Sequence, residues 1–291
     1  MSVSVFHGWR VVAACFVVAA VGWSLGLFGS SVYLQAVTAA HGWPIAEVAS
    51  AITVFFLVSA SVQRIVGRSI DRHGPRPVLL VGTACMATGV ALIGQVTTPW
   101  QLYPCFVLVG IGWSTLSTTG ITTTVAPWFE RHQGRSMTLA IMGASVGAIV
   151  GVPLLLLSVA TLGLGGGLMA AGIVAAVILT PLVTIVLRHR GPADIGQQRD
   201  GGPVTAGEVP APLAPPIATA ANSRRLLWST AIAFALGLTI QIGFITPHVP
   251  FAELLLCTAE AGRPGNGTGL PALGGRPTRA RPALSRARAA P

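Results

Sequence analysis

The sequence contains no lysine and few charged residues of either sign. Charged residues make up 9% of the 291, with 18 basic residues, all arginine, against 8 aspartates and glutamates. Globular domains average roughly 25% charged residues, so an ordinary soluble fold is excluded. The absence of lysine also argues against basic arms that bind nucleic acid, and we expect no nucleic-acid partner.

Cysteines and catalytic patterns are also sparse. The chain has four cysteines, too few for a disulfide scaffold of this length. The apolar runs contain no Ser/His or carboxylate constellation typical of an enzyme, and no spacing of ligands typical of a metal site. We therefore expect a protein that is not an enzyme, with no catalytic residues, no metal and no cofactor.

Apolar sequence, by contrast, is abundant. Hydrophobic residues make up 52% of the chain, and the mean hydropathy is +0.72. A helix needs about 20 apolar residues to cross a bilayer. Seven runs have about this length and are called spans one to seven here: 10–39, 45–66, 77–96, 101–127, 136–158, 164–187 and 226–246. Because they are continuous rather than alternating, the predicted fold class is all-α transmembrane.

Arginines alternate between the junctions and predict the orientation. They follow spans two, four and six, whereas the junctions after spans one, three and five contain none. By the positive-inside rule, the N-terminus and the even-numbered junctions lie in the cytoplasm. We therefore expect a multi-pass protein of the plasma (inner) membrane, with the lipid bilayer as its main partner.

Composition divides the chain into four parts. Residues 1–188 form the predicted six-helix bundle, 189–225 a flexible cytoplasmic linker, 226–249 a seventh helix and 250–291 a disordered tail. The tail contains six arginines where the alternation predicts none. An alternative hypothesis is that the reading frame shifts near residues 251–257, which translation of the other two frames of the downstream DNA would test.

One segment between spans two and three carries a family resemblance. Residues 67–76 read Gly-Arg-Ser-Ile-Asp-Arg-His-Gly-Pro-Arg, which resembles the cytoplasmic loop signature of the major facilitator superfamily. Further features resemble its monocarboxylate and oxalate/formate-like branch: Gly8-Trp9-Arg10, Gly42-Trp43, Trp128-Phe129-Glu130-Arg131 with Gly134, and Pro192 with Gly196 and Asp200-Gly201.

The resemblance implies a gating role for this segment. In that family such a loop latches the two halves of the carrier on the cytoplasmic side. Gly67 would permit close helix approach, Gly74 a tight turn, and Asp71 would bond backbone donors at a helix end. Pro77 stands where a second basic residue is common, which predicts a weaker latch. The candidate gating residues are Gly67, Asp71, Arg72, Gly74 and Arg76.

Spans one and four share a short motif. Gly22-Trp23-Ser24 and Gly112-Trp113-Ser114 each lie about a dozen residues into their spans, near the bilayer midplane where such folds place substrate sites. Positions 117, 120 and 124 follow Trp113 at helical spacing. The candidate substrate-cavity residues are Trp23, Tyr33, Trp113, Ser117, Thr124 and Gln241. For each hydroxyl or amide, a bond to a neighbouring helix is the alternative.

Span five contains a stripe of small residues. Gly143, Gly147 and Gly151 recur every four residues on one face and predict close helix packing. They resemble only loosely the glycine-rich antiporter motif of the superfamily.

The predicted function is transport of a small solute, a monocarboxylate-like organic anion, by alternating access. The spans contain no Asp, Glu or His well inside a run that could relay protons, so proton coupling would require a second half that is absent here. The alternative hypothesis is a truncated remnant of such a carrier that does not transport.

Overall fold

The computed structural model describes residues 6–189 and 191–201, and a few positions between 228 and 237. The chain divides into two compact units, Met1–Ser223 and Arg224–Pro291. The described positions of the second unit are helical and belong to predicted span seven. Gln241 and the predicted tail at 250–291 lie outside the described residues.

Every regular element in the described residues is helical. The α-helices are α1 His7–Leu25, α2 Gly29–His41, α3 Ile45–His73, α4 Pro75–Ile93, α5 Leu102–Leu116, α6 Thr118–Val125, α7 Gln133–Ile141, α8 Gly143–Val146 and α9 Val152–Val186. A π-helical turn spans Gly147–Gly151, and short 3-10 helices span Pro99–Gln101, Ala126–Trp128, Pro192–Ile195 and Arg199–Gly201.

Five helical segments of the described chain are long and apolar enough to cross a membrane, judged by length and composition: His7–His41, Ile45–His73, Pro75–Ile93, Pro99–Trp128 and Gln133–Val186. This confirms the all-α class with membrane-length helices, because no strand occurs where the chain is described.

The fifth of these segments folds back on itself. Gly163, inside α9, has φ +74° and ψ 175°, which is not helical. Nine residues of continuous helix would separate Ser158 from Gly167 by about 13.5 Å. Instead, the Ser158 hydroxyl lies 3.4 Å from the Gly167 carbonyl oxygen. Gly163 therefore divides α9 into two arms, 152–162 and 164–186, at the boundary predicted between spans five and six.

The continuous helices predicted for spans one and four are interrupted. The helix of span one ends at Leu25, and a new helix begins at Gly29. The helix of span four ends at Leu116, and a new helix begins at Thr118. The apolar runs contain no signal for these breaks, since hydropathy reports the solvent around a helix and not its backbone path. Helical spacing from Trp113 through Thr124 was therefore a wrong expectation.

The predicted loop between spans two and three is almost entirely helical. The third helix continues to His73 and includes Arg72, and the next begins at Pro75, so Gly74 is the single connecting residue. Gly74 has φ +87° and ψ 168°, a conformation that is essentially restricted to glycine. The sequence prediction ended span two at residue 66, where the charged residues become frequent. This bound is too early, because arginine is a good helix former although its side chain is charged.

The α4 helix packs between α5 and the second arm of α9. The fully buried side chains there include Met86, Phe106 and Leu168. After α9, residues 191–201 contain two short 3-10 helices that contact the bundle, with Ile195 packed against the core. This part of the predicted flexible linker is held by contacts that composition does not report.

Candidate functional site

Trp23 and Trp113, one from each copy of the Gly-Trp-Ser motif, contact each other. Their ring centroids are 4.7 Å apart with an interplanar angle of 70°, an edge-to-face arrangement that aromatic pairs favour. Both side chains are half-buried. A Cβ at Gly26 would collide with the Trp113 ring, so glycine makes room for the pair. The structure thus brings together two of the predicted cavity residues.

Both tryptophans stand beside a break in their helix. The α1 helix ends two residues after Trp23, and α5 ends three residues after Trp113. In many transporters, discontinuous helices near the midplane form the substrate site, because a break frees backbone polar groups. The shared position of the two breaks is a second similarity between spans one and four, besides the motif.

Tyr33 has its hydroxyl engaged at the first of these breaks. The side chain is fully buried, and its O–H donates to the carbonyl of Leu25 at 2.7 Å. That carbonyl belongs to the last residue of α1. Tyr33 therefore satisfies a polar group that the break leaves without a helical partner.

Ser117 and Thr124 also bond within their own segment. Their hydroxyls donate to the carbonyls of Ser114 at 3.1 Å and Gly120 at 2.6 Å, and both residues are buried. Direct contact with a solute remains a prediction for these two residues and for Tyr33, and Gln241 lies outside the described residues.

The predicted gating residues surround the end of α3. Asp71, Arg72 and Arg76 are exposed, and none of their side chains has a hydrogen bond or ion pair with the rest of the described chain. The expected bond from Asp71 to backbone donors is thus absent between described residues. A Cβ at Gly67 would have its nearest neighbour at 3.9 Å, so no close approach requires glycine there.

A groove of about 330 Å³ lies beside this helix end. Its lining is mostly apolar, with Ser69, His73 and Thr115 as the polar contributions. None of the predicted cavity residues that the structure describes lines it, so this groove is separate from the contact of Trp23 with Trp113.

The glycine stripe of span five packs against the first helix. A Cβ at Gly143 would collide with the Phe16 carbonyl oxygen, and one at Gly147 would collide with that of Ala20. A Cβ at Gly151 would collide with the side chain of Ser24. Because Phe16, Ala20 and Ser24 are themselves four residues apart, the stripe follows one face of α1 for two turns, as small-residue stripes between membrane helices do.

The sequence prediction did not assign a role to Asp200, which binds the loop after span four. Its Oδ2 accepts backbone N–H groups of Glu130 at 2.8 Å and Arg131 at 2.6 Å, and its Oδ1 accepts that of His132 at 3.4 Å. Burial alone would raise the pKa of this carboxyl, but these hydrogen bonds lower it. Both partner segments were recognised separately as motifs, but nothing in the sequence shows that they meet.

Comparison with known proteins decides the family. The family model of the Major Facilitator Superfamily matches residues 12–263. The chain belongs to the major facilitator superfamily. Members of this superfamily are transmembrane carriers of small solutes.

Individual relatives within the superfamily are distant. The chain is 26% identical over 150 residues to the oxalate:formate antiporter of Oxalobacter formigenes, covering 52% of this chain and 35% of that protein. It is 26% identical over 141 residues to the uncharacterized MFS-type transporter YcxA of Bacillus subtilis (strain 168), covering 47% and 34%.

A third relative is named for a different activity. The chain is 32% identical over 111 residues to the multidrug resistance protein MdtH of Yersinia enterocolitica, covering 38% of this chain and 27% of that protein. The chain thus matches about a third of the length of these superfamily relatives.

Proposed function

We propose that this chain is the first half of a carrier that moves a small organic anion, such as a monocarboxylate, by alternating access. The observation that supports it most is the contact between Trp23 and Trp113 beside two helix breaks. Such breaks expose backbone polar groups at the depth where carriers of this fold bind solutes. The similarity to a protein named oxalate:formate antiporter favours a carboxylate among small solutes.

The hydrogen-bonding chemistry of the pair suits an anion. Each indole N–H is a donor and cannot accept a hydrogen bond. Neither Trp23 nor Trp113 has a hydrogen-bond acceptor among the described residues. A carboxylate only accepts hydrogen bonds, so it complements these two donors, whereas an organic cation would receive from this half only the ring faces.

A charged anchor and a proton-coupling group would come from elsewhere in the carrier. Within the predicted spans of the described chain, the ionisable groups other than cysteine and tyrosine are Arg10, Glu47 and Arg64, and each is exposed near an end of its span. A buried carboxylate or histidine that relays protons would therefore belong to the second half.

The orientation follows from the arginines. We infer that the fold-back at Gly163 gives six crossings by residue 187, that span seven follows, and that the N-terminus is cytoplasmic in the plasma membrane. The turn at Gly74 is then cytoplasmic, and we assign the gating role to Gly67, Asp71, Arg72, Gly74 and Arg76. When a reporter protein is fused after Asp71, we expect it to lie in the cytoplasm. A reporter in the periplasm would contradict this orientation.

Solute binding tests the proposed site. The purified chain in lipid nanodiscs is titrated with formate, oxalate and lactate while tryptophan emission is recorded. We expect saturable quenching that is lost in the double variant Trp23→Phe with Trp113→Phe, because phenylalanine removes both indole donors. Trp100→Phe, at an exposed ring in the short 3-10 helix before α5 and outside both motifs, is the matched control. Equal quenching in all three proteins would contradict the proposal.

Transport is a separate measurement. One set of vesicles contains this chain alone, and a second set contains this chain joined to the protein that the next downstream reading frame encodes. Uptake of the labelled carboxylate that binds is measured in both. We expect uptake only when a second half is present, since a central site needs both halves to enclose it.

A further inference from the structure

The segment that follows α9 is fastened to the starts of two other helices. Asp200 holds the loop 130–132, which directly precedes α7, and Gln197 accepts the backbone N–H of His7, the first residue of α1, at 3.2 Å. The His7 ring completes the contact, because its Nε2–H donates to the carbonyl of Val186 at 3.1 Å. Residues from three distant parts of the chain therefore meet here.

The Asp200 carboxylate is bound as an anion in a backbone nest. Three successive N–H groups point to its two oxygens, and such successive donors favour negative charge. The imidazole of His132 adds a contact at 3.5 Å. The carboxylate is largely buried, with 11% of its side chain exposed, so this is not a loose surface contact.

The backbone of Asp200 is itself constrained. Its φ is +58°, the only positive φ of a non-glycine residue in the described chain. An ordinary residue avoids this conformation, although aspartate tolerates it better than most. Glycine would fit the backbone but would lack the carboxylate, so the side chain is the reason for a non-glycine residue here.

The α7 helix lacks a cap of its own. His132, at its N-cap position, makes no side-chain capping bond, and its first turn contains no acidic residue. The Asp200 carboxylate places negative charge beside this helix start, where the helix dipole favours it. The same helix leads into the glycine stripe that packs on α1.

We propose that Asp200 is a positioning residue, which fastens the segment after α9 to the loop before α7 and so holds the starts of α1 and span five together. A movement that separates these two helices must break this fastening. The fastening stands whether or not a solute is carried, whereas its part in a transport cycle rests on the proposed function.

Hydrogen exchange of the full chain in nanodiscs, without solute, tests the fastening. In Asp200→Ala we expect amide protection at 130–132 and in the first turn of α7 to fall about tenfold, the scale of a lost helix cap. Peptides from α4 and α5 are expected to keep their protection. The control Glu130→Gln removes the exposed ion pair with Arg199 at 3.9 Å but keeps the backbone donor, so it is expected to match the wild type.

The dependence of this amide protection on pH is a second measurement. It tests the proposal even if Asp200→Ala does not fold. The groups facing the carboxylate are His132, Glu130, Arg131 and Arg199. As the pH falls, we expect this protection to be lost when Asp200 is protonated, because the neutral carboxyl binds the three N–H groups more weakly. Asp200→Asn is expected to show no such loss. Unchanged protection in Asp200→Ala, or a wild-type profile identical to that of Asp200→Asn, would overturn the proposal.

Discussion

The indole rings of Trp23 and Trp113 meet edge to face, although 90 positions separate them in the chain. Each belongs to a Gly-Trp-Ser triplet, and each stands beside the point where its helix ends. The contact joins the two helices at the place where both backbones are interrupted. It therefore stabilises the bundle and also fixes the geometry of the proposed solute site.

A double-mutant cycle on this pair is expected to reveal a coupling. Trp23→Leu and Trp113→Leu, singly and together, remove the ring contact while keeping an apolar side chain. We expect an interaction free energy of about 0.5–1.5 kcal/mol, the value of an aromatic pair beyond its buried area. Denaturant unfolding in mild detergent measures it. Additive effects would show that the two rings do not depend on each other.

The glycine stripe is expected to be intolerant of a single methyl group. Gly147→Ala places a Cβ against the Ala20 carbonyl oxygen, and such overpacking costs about 1–3 kcal/mol. Gly134→Ala is the control, because no heavy atom lies within 4 Å of its added Cβ in α7. The measurement is the melting temperature in detergent, which should fall for the first variant and stay or rise for the second.

The two glycines of the candidate gating segment are expected to differ. Gly74→Ala forces alanine into φ +87°, at a cost of about 1–3 kcal/mol. Gly67→Ala has no neighbour closer than 3.9 Å in α3, so the better helix propensity of alanine gives up to about 1 kcal/mol of stability. Chemical unfolding of both variants checks this, and equal destabilisation would contradict the turn geometry.

Tyr33→Phe is expected to destabilise the first helix break. It leaves the buried carbonyl of Leu25 without the hydroxyl donor seen at 2.7 Å, a loss of about 1–3 kcal/mol. Tyr103→Phe is the matched control, because its partner Ser50 also donates to the Glu47 carbonyl at 2.6 Å. The free energy of unfolding should fall clearly only for the first variant.

Acid is expected to weaken the contribution of Asp200. Because hydrogen bonds lower its pKa in the folded protein, this carboxyl stabilises the fold above its unfolded pKa, and that stability is lost as the pH falls through the folded value. The free energy of unfolding of the wild type minus that of Asp200→Asn should be constant near neutral pH and shrink below the ordinary aspartate value of 3.8. A difference that does not shrink on acidification would contradict this role of the Asp200 carboxylate.

The amino-acid sequence by itself determined that the protein's surroundings are a lipid bilayer, that its fold class is all-α and which family it belongs to. Continuous apolar runs require helices in lipid, because no other open structure satisfies the backbone there. The boundary between spans five and six at Gly163 and the glycine spacing of span five were also predictable, since each depends on residues close in the chain.

Only the tertiary structure decided which distant groups meet. The contact of Trp23 with Trp113, the breaks beside them and the binding of Asp200 by the loop 130–132 join positions about 70 to 90 residues apart. Local pattern reports burial and periodicity, whereas these contacts depend on how helices cross. A broken helix and a continuous one have the same hydropathy, so packing alone selected between them.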